Sequence, residues 1–159
     1  MIIRKLQDYL DANNVRYVIL SHSLAFTAQE VAASAHVPGQ EIAKTVVFWM
    51  DGAMALAVLP GSRMIDFTLL KKGAVAKDVE IAAESEFSDA FPQCELGAMP
   101  PFGHLFGMKT FVDASLADDK EIAFNAGTHR ELVRMRYADY ERLTDPTIVR
   151  FSFMTKSAA

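Results

Sequence analysis

An α+β fold with a mixed sheet is the class this sequence predicts, on three observations. Short helix-like and strand-like segments alternate irregularly, without the regular rhythm of a doubly wound fold. Two nearly continuous apolar runs, Ile42–Met50 and Ala53–Leu59, are joined by Asp51-Gly52, the strongest short hairpin dipeptide. No repeat, low-complexity tract or Pro/Gly/Ser linker divides the 159 residues, so 1–159 reads as a single domain.

In chain order, Ile2, Ile3, Leu6, Tyr9 and Leu10 recur at helical spacing and predict an amphipathic helix over 2–13. The β-branched run Arg16–Leu20 reads as a strand. Thr27 and Glu30 fit a capping box that opens a helix through Ala35, and Pro38-Gly39 breaks the chain. The two apolar runs of the hairpin lack strict alternation, which places it centrally in a sheet covered on both faces. Asp66 to Gly73 reads as a short helix capped by Asp66 and stopped by Gly73. A second short helix is expected over Ser85–Ala90. Lys109–Asp113, Glu121–Asn125 and Leu132–Met135 read as strands, Tyr137–Leu143 as a helical turn or two, and Thr147–Phe151 as the last strand.

Composition narrows the function classes. With 16 Lys+Arg against 20 Asp+Glu, the net charge is −4 and the pI about 5.5. That balance argues against a basic nucleic-acid coat, and no DNA partner is expected. The single cysteine, Cys94, excludes an internal disulfide and a cysteine-based zinc site. No long apolar run follows the charged N-terminus, and none approaches the roughly 20 residues that span a bilayer. A soluble cytoplasmic protein with no membrane partner is the expectation.

Familiar catalytic motifs are missing: there is no G-x-S-x-G, P-loop or H-E-x-x-H. Ser62 follows a strand in Pro60-Gly61-Ser62 but lacks the glycines of a nucleophile elbow. Cys94 reads as a buried small hydrophobe more readily than as a thiolate. His22, His36, His104 and His129 have no ligand spacing, so neither a metal nor another cofactor is expected. Lys44 stands out because it interrupts an apolar strand. It is either a strand-end lysine that snorkels or a cation at the floor of an anion pocket. The uncharged segment Gly97-Ala98-Met99-Pro100-Pro101-Phe102-Gly103 is either a plain turn or a loop whose outward N–H groups hold an oxyanion. Asn125-Ala126-Gly127-Thr128-His129 is likewise a tight turn with a histidine just past it.

Jointly, Lys44 before the Asp-Gly hairpin, the Gly97-x-x-x-Pro101 loop and Ala126-Gly127-x-His129 resemble the YbaK/EbsC family. That family includes the editing insertion of bacterial prolyl-tRNA synthetases and free-standing, ProX-type relatives. His22 with Thr27, and Val58-Leu59-Pro60-Gly61, fit the same pattern, and the resemblance covers roughly residues 15–150. It implies a compact, barrel-like mixed sheet flanked by helices. It implies a trans-editing aminoacyl-tRNA deacylase that clears a mischarged small amino acid, alanine first and cysteine or serine next, from tRNA(Pro). The implied partners are the tRNA acceptor end and prolyl-tRNA synthetase. A non-catalytic tRNA-end or synthetase-binding module of the same fold is the alternative.

By the same resemblance, Lys44 contacts the terminal adenosine and its phosphate, while Gly97 and Pro101 bound the loop that positions ester and water. His129 sets the accepted side-chain size, with Gly127 in its turn, and Ala98, Met99, Phe102 and Phe106 stand beside it. The family needs no protein nucleophile and no metal. A reactive ester can be hydrolysed by a positioned water helped by the substrate's ribose hydroxyl. A missing methylene discriminates by only about 1–3 kcal/mol, so size sieving carries the selectivity. Two departures bear on specificity: the additional Pro100, and the bulky segment from Phe102 to Gly107. The acidic balance is also local. Residues 80–95 carry five acids and no base, whereas Arg63, Lys71, Lys72 and Lys77 face only Asp66 and Asp78 within 63–78. That pattern suits weak, end-limited tRNA contact.

Overall fold

The computed structural model describes residues 2–23, 28–35 and 37–154. Its helices are α1 (Arg4–Ala12), α2 (Ala28–Ala35), α3 (Phe67–Gly73), α4 (Glu84–Phe87) and α5 (Tyr137–Thr144). The strands are β1 (Tyr17–Ser21), β2 (Ile42–Met50), β3 (Ala53–Pro60), β4 (Arg63–Ile65), β5 (Val79–Ile81), β6 (Lys109–Asp113), β7 (Glu121–Asn125), β8 (Glu131–Arg136), β9 (Thr147–Val149) and β10 (Ser152–Met154). The main sheet is mixed and runs β1-β8-β7-β2-β3-β6-β9, with β5 also on β2, while β4 and β10 form a separate pair. The α+β class and central mixed sheet expected from the sequence are what the chain forms. Among the described residues no helix is long and apolar enough to cross a membrane.

The β2–β3 hairpin occupies the centre, in register from Ala43–Pro60 to Met50–Ala53. Asp51 (φ 49°) and Gly52 (φ 86°) both take left-handed backbone, the geometry of a two-residue hairpin turn. Both faces of the hairpin are covered. Val47, Leu56 and Val58 pack with Leu6 and Leu10 of α1 and Tyr140 of α5 in the main core. Phe48, Ala55, Ala57 and Leu59 pack with Leu70 of α3, Phe111 and Phe151 on the opposite face. Each fully buried leucine stabilises the fold by roughly 1.5–3 kcal/mol. A third cluster joins Val31 and Ala32 of α2 to Ile42, Ala123 and Leu132.

Three local expectations change. The first helix begins at Arg4, not residue 2, because Ile3 is extended (φ −64°, ψ 140°) and its N–H donates to the Ala126 carbonyl at 3.0 Å. Asp66 caps α3 by accepting the Leu69 N–H at 3.0 Å, but the helix is stopped by Val75 at φ 53°, not by Gly73. Gly73 serves close packing instead, since a Cβ there would lie 2.8 Å from Val149 Cγ2. The last strand divides in two: β9 ends at Val149 and β10 starts at Ser152. Phe151 leaves the ladder because its N–H donates to the Asp113 carboxylate at 2.8 Å, its carbonyl accepts the Asp66 N–H at 2.7 Å, and its side chain is fully buried. The proposed Thr27–Glu30 capping box lies outside the described residues.

Candidate active site

The site begins with a gap in the sheet. Along one edge of β2, β7 pairs in parallel at Ile42 and Ala43, and β5 pairs antiparallel from Phe48 to Met50. The Ala82 N–H reaches the Val47 carbonyl. Among the described residues, 44–46 therefore have no strand neighbour on that side. A cavity of about 150 Å³ opens there, lined by residues 42–45 of β2 with Gly97, Met99 and Asn125. Lys44 is half-buried in it, and burial lowers the pKa of its amine. No carboxylate among the described residues pairs with that amine. A desolvated, uncompensated cation favours an incoming anion or a polarised carbonyl.

The facing loop is held from behind. Gly97 takes φ +85°, and a Cβ there would stand 3.4 Å from His129 Cε1. The Gly127 N–H donates to the Ala98 carbonyl at 2.8 Å, and the Glu95 N–H to the Gly127 carbonyl at 2.8 Å. His129 donates its backbone N–H to Glu95 Oε1 at 3.0 Å, and its ring Nε2 lies 2.7 Å from the Leu96 carbonyl. Tyr140 of α5 donates its hydroxyl to the Pro101 carbonyl at 2.7 Å. The loop and the turn after β7 are thus one hydrogen-bonded unit, preorganised by buried side chains.

The outward-facing amides expected of this loop are mostly engaged, within the loop or with its neighbours. Gly97 N–H meets Met99 Sδ at 3.2 Å, Ala98 N–H bonds the Glu95 carbonyl at 3.0 Å, and Phe102 N–H the Pro100 carbonyl at 2.9 Å. Gly103 N–H bonds Thr110 Oγ1 at 3.0 Å. Met99 N–H is the loop amide left without a partner among the described residues.

Of the residues singled out in the sequence, the fold brings Lys44, Gly97 and Met99 to the cavity. Ala98, Pro101, Gly127 and His129 stand behind it as the loop's supports. Three of the expected pocket walls do not line it. Phe102 is fully buried among Tyr9, Phe124 and Tyr140, Phe106 packs on Phe91, and His129 backs Gly97. Large aromatic area is drawn into the core, where its burial stabilises most. His22 donates its backbone N–H to the Arg130 carbonyl at 2.8 Å beside β8 and is not part of the lining. Thr27 lies outside the described residues. Cys94 is half-buried, and burial pushes its thiol up to about 11. Among the described residues no group of three His, Cys, Asp or Glu side chains is placed to hold a metal ion. The residues that sequence reasoning missed are Ile42, Ala43, Thr45 and Asn125, and the parallel β2–β7 pairing is what brings them together.

Known proteins resemble this chain in sequence and in fold. The chain is 33% identical over 97 residues to the multifunctional Ser/Thr-tRNA deacylase ProXp-y of Escherichia coli (strain K12), covering 60% of this chain. It spans only 58% of that relative's length. It is 32% identical over 133 residues to a proline–tRNA ligase of Nitratidesulfovibrio vulgaris, covering 80% of this chain and 23% of the ligase. Two crystal structures share the fold. One, a hypothetical protein, gives a TM-score of 0.84 at 21% identity over 94% of this chain and 100% of that one. The other, a candidate trans-editing enzyme for prolyl-tRNA synthetase, gives 0.80 at 22% identity over 94% and 96%. The model of the aminoacyl-tRNA editing domain matches residues 22–143, most of the chain, and the protein belongs to that family.

Proposed function

We propose that this protein is a trans-editing aminoacyl-tRNA deacylase, hydrolysing the ester between a small amino acid and the 3′ end of tRNA. The observation that carries the reading is the amino-acid-sized cavity at the β2 gap, with an unpaired lysine on one wall and a pinned loop on the other. Its volume, about 150 Å³, matches cavities that take a benzene-sized guest, so the terminal adenosine must stay outside.

In this reading Lys44 holds the terminal phosphate or the ester carbonyl at the mouth. Met99 N–H faces the oxygen on which charge develops, in a place already desolvated by the fold. Water adds to the carbonyl carbon, the ester C–O bond breaks, and free amino acid leaves from the tRNA hydroxyl. The ribose hydroxyl of the substrate assists the water, and the chain supplies positioning more than acid–base chemistry. The cognate tRNA in this proposal is tRNA(Pro), supported by the likeness to part of a proline–tRNA ligase, with prolyl-tRNA synthetase as the partner that delivers it.

The test is release of free amino acid from a panel of mischarged tRNAs. Catalytic release from Ala-, Ser- or Cys-tRNA(Pro), and none from Pro-tRNA(Pro), is the expected result. Absence of hydrolysis across the panel at stoichiometric protein contradicts the proposal, and tight binding without turnover in that case marks a tRNA-end binding module.

A further inference from the structure

Asn125 closes β7 one residue beyond the Ala43–Phe124 pair, so the parallel register sets it beside Lys44. It lines the same cavity. Its carboxamide oxygen Oδ1 is buried and has no hydrogen-bond partner among the described residues. A buried carbonyl left unpaired is costly, and a protein that keeps one beside a substrate cavity has an acceptor waiting for a donor. Three donors of an aminoacyl ester compete for it: the α-ammonium, a ribose hydroxyl and, in some substrates, a side-chain hydroxyl.

Charge decides against the ammonium. Among the described residues no carboxylate lines the cavity, and the neighbouring amine is Lys44, so a second cation there meets repulsion without compensation. Size decides against the ribose, which is tethered to an adenosine too large for about 150 Å³. A neutral hydroxyl on a short side chain satisfies both conditions. Resting on the deacylase reading above, we propose that Asn125 is a specificity-determining residue that accepts the side-chain hydroxyl of a seryl ester, so that serine is preferred over alanine. A site built around a hydrogen bond to a hydroxyl rejects the analogue lacking it, because its own polar group is then left unpaired.

The test has two arms, both on one tRNA charged with serine or with alanine. In the wild-type protein kcat/KM for the seryl ester exceeds that for the alanyl ester by about ten- to hundredfold. In Asn125→Leu, which keeps the branched heavy-atom shape and removes the acceptor, the seryl-to-alanyl ratio of kcat/KM falls to less than about threefold. Melting midpoints establish that the variant folds, and the wild-type ratio stands without it. Equal wild-type rates for the two esters overturn the proposal, as does an equal loss on both in the variant, which assigns Asn125 to the part all substrates share. Failure of the wild type to hydrolyse either ester overturns the deacylase reading itself.

Discussion

Cys94 packs against the main core, and desolvation holds its thiol near 11. At pH 8 about one thiol in a thousand is then ionised, so alkylation by iodoacetamide should run about a thousandfold below its limiting rate and rise about tenfold per pH unit until it levels off near pH 11. Cys94→Ala should leave deacylation within twofold of wild type. Fast alkylation at pH 8 together with loss of turnover would instead make it a nucleophile. Gly127 is constrained differently. It sits at φ +102°, and a Cβ there would clash with Ile3 Cγ2 on a stiff β-branched side chain. Gly127→Ala should therefore cost more than about 2 kcal/mol by urea denaturation, combining left-handed strain with overpacking. Because Gly127 also bonds Glu95 and Ala98, turnover should fall with stability. An unchanged denaturation midpoint would show that the turn tolerates displacement.

At the level of elements, the proposed site depends on where β2 has neighbours. Two short strands share one of its edges, and the interval between them is the cavity. The central hairpin was legible because Asp51-Gly52 and the two apolar runs carry local, backbone-level information. Three-residue strands such as β4, β5 and β10 were not, since so short a segment shows no periodicity and exists only through its partner. The same holds for the site. Lys44 was legible as a charge inside an apolar run, and Gly97 as a glycine opening an uncharged loop. Asn125 was not, because what distinguishes it is an unpaired oxygen created by a parallel pairing between segments some 80 residues apart. His129 was recognised, but its place is behind the loop, where it bonds Leu96 and backs Gly97.

Across the whole molecule, charge is unevenly stabilised. Asp119, whose Oδ2 is buried without a partner among the described residues, has a pKa raised to about 6 by burial and by the neighbouring Glu41 and Asp118. The folded protein therefore keeps a proton between about pH 4 and 6 that the unfolded chain has released, and stability falls as pH rises through that window. Asp119→Asn should raise the urea midpoint at pH 7, leave it unchanged near pH 3.5, and flatten the slope between. An identical pH slope in the variant would assign the effect to other carboxylates. Such acids, with the run from Glu80 to Glu95, account for a net charge of −4 in a protein whose proposed contact with nucleic acid is confined to one tRNA end. That confinement rests on Lys44, and the most direct measurement compares single-turnover release of amino acid from Ser-tRNA(Pro) by wild type and Lys44→Met. Turnover should fall about ten- to hundredfold, the worth of one charge-assisted contact. The melting midpoint should be unchanged or higher, since a half-buried cation is replaced by an apolar chain. Full activity in Lys44→Met would contradict the placement of the reaction at the β2 gap.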